Sequence, residues 1–177
     1  MNNFFRALEF TWRPENDGQP YHITPGDPGG ATAWAVTQET WNVWAGQIGL
    51  SRDLKEATKT QLEDCLLNLF WIPCGAPKLP TGVDLMVFDF CVTSGQGNAV
   101  RELQRCVGVA DDGDVGPVTL AAAYQYSPMR VCTMLRDATA QFLALADLGE
   151  FLNGELRRAQ DRYALACQWI TQEARCT

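Results

Sequence analysis

The sequence predicts an all-α protein, and three observations carry that expectation. Apolar residues recur three and four apart over most of the chain, with no sustained alternation of the strand kind. Candidate N-caps and first-turn prolines stand at the starts of several of these stretches. Clusters of proline and glycine then separate one stretch from the next. The expected architecture is a compact helical domain of about seven or eight helices with one long loop near its start.

The elements follow in order. Residues 3–13 place Phe4, Phe5, Leu8 and Trp12 together as a helical face, and Pro14 marks its end, because the residue before a proline is steered away from α geometry. A second helix is predicted from Thr32 to about Ile48, through Trp34, Trp41 and Val43–Trp44, with Thr32 as candidate N-cap. Thr60-Gln61-Leu62-Glu63 fits a capping box for a third helix through Leu62, Cys65, Leu66 and Leu69 to Trp71. Pro73, Gly75, Pro77 and Pro80 break the chain. The helix carrying Val83, Val87, Phe90 and Cys91 is apolar nearly all round and is predicted to be the buried central one. A turn over Thr93–Gly97 precedes a helix from Ala99 to Val107. The loop Asp111–Gly116 leads into a short helix that starts at Pro117 and runs through Tyr126. Ser127-Pro128 opens a helix to about Asp147, and Glu155–Glu173 is the last. No strand and no internal repeat is predicted.

Composition narrows the function classes. The chain has 177 residues, 46% apolar and 20% charged, an ordinary globular profile with room for a sizeable core. Its formal net charge of -7 argues against nucleic acid as a partner, since phosphate binding needs a basic patch. The same charge disfavours an anionic polymer unless the binding cleft is locally less acidic. No basic-then-apolar leader and no apolar run of membrane-spanning length is found, so the expectation is cytoplasmic synthesis without a signal peptide and no membrane insertion. There are seven cysteines. Cys65, Cys91, Cys106, Cys132 and Cys167 fall within helical patterns and read as small buried hydrophobes, with Cys74 and Cys176 outside them. One histidine and no Cys-x-x-Cys pair make a zinc site improbable, and no metal or cofactor is expected.

The segment from Arg13 to Thr37 stands apart. It holds four glycines, four prolines, three carboxylates and the sole histidine of the chain. Proline and glycine keep it out of regular helix, and a connection this long inside a compact domain is commonly functional.

Here the residues carry a family resemblance. The chain reads Leu8-Glu9-Phe10-Thr11-Trp12-Arg13-Pro14-Glu15, then Asp27-Pro28-Gly29-Gly30-Ala31-Thr32, then Val36-Thr37-Gln38. It continues with Leu79-Pro80-Thr81-Gly82, Phe88-Asp89, Val92-Thr93-Ser94-Gly95, Leu103-Gln104 and Asp112-Gly113-Asp114-Val115-Gly116-Pro117-Val118-Thr119-Leu120. This order resembles the muramidases of glycoside hydrolase family 108 and the predicted peptidoglycan domain that follows in them. The departure is at the family's Glu-Gly-Gly-Tyr, which here reads Glu15-Asn16-Asp17-Gly18-Gln19-Pro20-Tyr21.

The resemblance implies a lysozyme-like fold, with residues 1–95 as the muramidase-like region and residues 96–177 as a helical peptidoglycan-binding region packed on it. It implies Glu15 as the acid that protonates the leaving oxygen, with Asp17 as a rival if the insertion is placed differently. Asp27 and Thr32 complete an order similar to the Glu, Asp, Thr trio of phage lysozymes, in which a carboxylate and a hydroxyl position water. Tyr21, His22 and Trp34 are the candidate sugar-contacting side chains. Each has a plainer reading: Asp27 as the first residue of a turn, Thr32 as an N-cap, and Trp34 as core. Asp89, inside an apolar helix, needs partners, and loop backbone N–H groups are the expected ones.

The function expected is therefore a muramidase that cleaves the β-1,4 bond after N-acetylmuramic acid. It would act as a monomer in the periplasm or wall after release through a holin-like pore or a secretion apparatus. The alternative is an inactive peptidoglycan-binding or structural protein that keeps the fold. A cysteine peptidase is disfavoured, because His22 precedes every cysteine.

Overall fold

The structure, a computed structural model, describes residues 3–12, 21–23 and 30–176. The helical class expected from the sequence is what it shows: among the described residues there are eight α-helices and one small three-stranded sheet. By contact the chain divides into two units, Phe4–Ile72 and Pro73–Thr177 with Met1–Asn3.

In the first unit, α1 (Phe4–Thr11) buries Phe4, Ala7, Leu8 and Thr11, spaced by three and four. Phe5 falls off that face and is exposed. The unpredicted part is the sheet: β1 (Tyr21–Ile23), β2 (Ala31–Ala33) and β3 (Val36–Thr37), all antiparallel. Thr32 is thus a strand residue and not an N-cap. Helix α2 (Gln38–Ile48) starts six residues later than expected, with Thr37 as its cap; the Thr40 N–H donates to the Thr37 hydroxyl at 3.2 Å. The helix ends at Gly49, whose φ of 73° is the left-handed geometry glycine adopts without cost. The buried Trp41 indole donates to the Ser51 carbonyl at 3.0 Å and pins the returning chain. Helix α3 (Lys59–Leu66) is capped two residues earlier than predicted, by a box of Thr58 and Gln61. It runs on as a π turn over Leu67–Trp71, which delivers the buried Trp71 ring to 5.5 Å from Phe4.

The second unit is built on α4 (Val83–Ser94), in which residues 83 to 91 are all buried, as its apolar sequence predicts. Helices α5 (Gln96–Val107), α6 (Pro117–Gln125), α7 (Pro128–Leu145) and α8 (Leu152–Ala174) complete it. Pro117 opens α6, and Ser127 caps α7, both as read from sequence. The buried Asp89 takes partners from a distant helix. Its carboxylate accepts from Arg158 at 2.7 and 3.1 Å and from Arg162 at 3.2 Å, both on α8, and Arg162 also donates to Thr139 of α7 at 3.3 Å. Burial holds the Arg162 pKa below the usual guanidinium value, against the pull of Asp89. Gln104 organises the Asp111–Gly116 loop: its amide donates to Asp112 at 2.7 Å, the Asp114 carbonyl at 2.9 Å and Thr119 at 3.1 Å, and accepts from the Gly113 N–H at 2.9 Å. The seven cysteines are thiols: Cys65, Cys74, Cys91 and Cys132 are buried, Cys106 and Cys167 half-buried, and Cys176 exposed.

Candidate active site

The hairpin of β2 and β3 decides which side chains share a face. Its register pairs Tyr21 with Ala33, His22 with Thr32, and Ile23 with Ala31, then Thr32 with Thr37 and Ala33 with Val36. Side chains alternate along a strand, so His22, Thr32 and Thr37 form one row and Tyr21, Ala33 and Val36 the opposite row. Ala33 and Val36 are buried, which makes the second row the packed side. The first row is polar, and directly paired residues hold their Cβ atoms about 5 Å apart. The structure therefore brings Thr32 and His22 side by side and sends Tyr21 to the other face.

Trp34 is at the β2–β3 turn. A two-residue hairpin turn of type I′ needs positive φ at both central positions, and here Trp34 has 47° and Ala35 64°. Asn-Gly would take this geometry easily; an indole and a methyl do not. The turn sets the Trp34 ring 5.2 Å from that of Trp12, the residue that follows α1. The Lys59 ammonium lies over both rings, at 5.1 Å from Trp12 and 5.4 Å from Trp34, and Lys55 lies 5.4 Å over Tyr21. The indole N–H of Trp12 and Nδ1 of His22 are buried and meet no partner among the described residues. A buried polar atom of this kind asks for an explanation, and a bound polar molecule is one.

Glu15, Asp17 and Asp27 lie outside the described residues. In sequence, Glu15 is three residues past Trp12 and Asp27 three before Gly30. Sequence reading missed Lys55 and Lys59, because no motif marks them; only the fold puts them over the aromatic rings. Among the described residues no group of three His, Cys, Asp or Glu side chains is gathered as a metal site. No helix among those residues is long and apolar enough to cross a membrane. Around the hairpin lie the Trp12–Trp34 pair under Lys59, Tyr21 under Lys55, and on one sheet face a hydroxyl beside an imidazole; aromatic faces with polar groups of this kind suit a polar, ring-bearing ligand.

The sequence profile of the glycosyl hydrolase 108 family matches residues 11–95. The solved structure of Brucella abortus SagA is similar over 95% of this chain and 95% of its own, at 31% identity and a TM-score of 0.85. No curated protein matches the chain.

Proposed function

We propose a peptidoglycan-cleaving activity for this chain, which belongs to the glycosyl hydrolase 108 family. The observation that carries the reading is the extent of the family match: residues 11–95 take in the carboxylate-bearing loop, the hairpin and both lysines. Glycoside hydrolysis needs an acid on the leaving oxygen and a second group for water or for the positive charge that develops on the sugar. Glu15 is the acid in this reading. Asp27 and the Thr32 hydroxyl hold the water on the opposite face of the sugar, and the anomeric centre inverts. His22, on the same sheet face as Thr32, orients the substrate, and Trp34 stacks on a ring, with Tyr21 contributing from its own side. The bond cleaved is the β-1,4 link after N-acetylmuramic acid. No cofactor takes part. Residues 1–95 do the chemistry, and residues 96–177 assist in holding the wall. The protein acts on the wall as a monomer, delivered through a holin-like pore or a secretion apparatus.

One feature favours a second reading, a wall-binding protein without turnover: Glu15-Asn16-Asp17-Gly18-Gln19-Pro20-Tyr21 stands where the family has Glu-Gly-Gly-Tyr. Product analysis separates the two. Digested peptidoglycan is reduced with borohydride and the new sugar termini identified by mass spectrometry. The muramidase reading expects reduced N-acetylmuramic acid. Reduced N-acetylglucosamine would reassign the bond, and no new termini alongside retention on the wall would establish the binding reading.

A further inference from the structure

Lys59 opens α3, and its ammonium is shared between two indole rings from separate elements. Lys55, four residues earlier, covers Tyr21. Both lysines are exposed, and neither pairs with a carboxylate among the described residues. The chain as a whole carries a net charge of -7. Trp12 and Trp34 are only half-buried, so their rings are not wholly committed to the core. Trp34 is also held in left-handed backbone that a bulky side chain avoids, and such strain gathers where a side chain must be presented. An exposed cation–π contact is weak, and so Lys59 can leave the rings for an anion at small cost.

We propose that Trp12, Trp34 and Lys59 form a saccharide platform that selects for acid. The indoles take the face of a sugar ring, and Lys59 pairs with a carboxylate carried by the muramoyl unit. The inference rests on the peptidoglycan reading above and names the residue that selects within that substrate class. N-acetylmuramic acid differs from N-acetylglucosamine by a lactyl ether bearing a carboxyl group. In intact wall that carboxyl is amidated by a stem peptide, which brings carboxylates of its own. Chitin-type glycans carry neither. Lys59 thereby distinguishes wall glycan from a neutral polymer of the same backbone, and the pairing weakens with salt, as surface ion pairs do.

The test reads binding rather than turnover. The full chain is titrated calorimetrically with soluble glycan strands bearing stem peptides, with strands stripped of them so that the lactyl carboxylate is free, and with each after carbodiimide amidation. Chitin-type oligomers are the neutral control. Lys59→Gln is expected to bind carboxylate-bearing strands about fivefold more weakly and the neutral ones unchanged, with Lys59→Arg retaining affinity. Trp34→Ala weakens binding to every strand. A loss confined to stripped strands assigns the lactyl group; one confined to stem-bearing strands assigns the peptide. Equal affinity of wild type and a folded Lys59→Gln for carboxylate-bearing strands overturns the proposal, and no binding to any strand overturns it together with the peptidoglycan reading. An inactive wild type that still prefers acidic strands refutes cleavage alone.

Discussion

Ala35 occupies a φ of 64° in a turn that suits glycine, and the strain there is measurable. Ala35→Gly is expected to stabilise the fold by about 1 kcal/mol, raising Tm by roughly 2–4 °C. An unchanged or lower Tm would mean that the turn is not the one described. Thr32 belongs to the same hairpin, beside His22. Thr32→Ala is expected to lower kcat on peptidoglycan by roughly a hundredfold with KM little changed, the pattern of a group acting in the transition state. A change in KM alone would make the hydroxyl a binding contact. The thiols offer a third check at this scale. Burial pushes the Cys65 thiol up to about 12, and burial with nearby Glu102 pushes Cys106 up to about 11. Iodoacetamide near pH 8 should therefore modify the exposed Cys176 first and reach Cys65 only on unfolding, as peptide mapping would show.

At the scale of elements, the tie between α4 and α8 depends on Asp89. Its carboxylate is fully buried between Arg158 and Arg162. Asp89→Ala removes the carboxylate that faces the buried Arg162 and the half-buried Arg158, and is expected to cost about 3–5 kcal/mol, read from chemical denaturation. A loss under about 1 kcal/mol would show that water or other groups replace the carboxylate. The Asp111–Gly116 loop gives a pH dependence. Backbone N–H groups at Asp114 and the Gln104 amide hold the Asp112 carboxyl below the usual carboxylate range. A depressed folded pKa adds stability above the unfolded value near pH 4, lost as pH falls through the folded one. Wild type should thus lose more Tm than Asp112→Asn on acidification from neutrality to about pH 2. Parallel curves would contradict this. The elements also show what was legible. Long helices with caps and prolines were readable from sequence, as Ser127-Pro128 and the continuously apolar α4 illustrate. The sheet was not. Its strands are two or three residues long, too short for alternation to register, and the turn is Trp-Ala where the recognisable signal is Asn-Gly. Asp89 was legible as a residue in need of partners, while Arg158 and Arg162 are about seventy positions away in sequence.

At the scale of the molecule, charge and function pull against each other in the sequence. A net charge of -7 suits a soluble surface and disfavours an acidic polymer. The fold sets Lys59 over the Trp12 and Trp34 rings and Lys55 over Tyr21. Of the six candidate site residues, the described chain places Tyr21, His22, Thr32 and Trp34 on one hairpin and its paired strand, while Glu15 and Asp27 lie outside it. The two carboxylates were named from resemblance, since loop chemistry alone does not separate a catalytic acid from a turn residue. The measurement that bears most directly on the account is release of reducing sugar from purified peptidoglycan by wild type, Glu15→Gln and Asp17→Asn, each checked for folding by circular dichroism. Wild type and Asp17→Asn are expected to release sugar, and folded Glu15→Gln is not. Undiminished release by Glu15→Gln would contradict Glu15 as the acid.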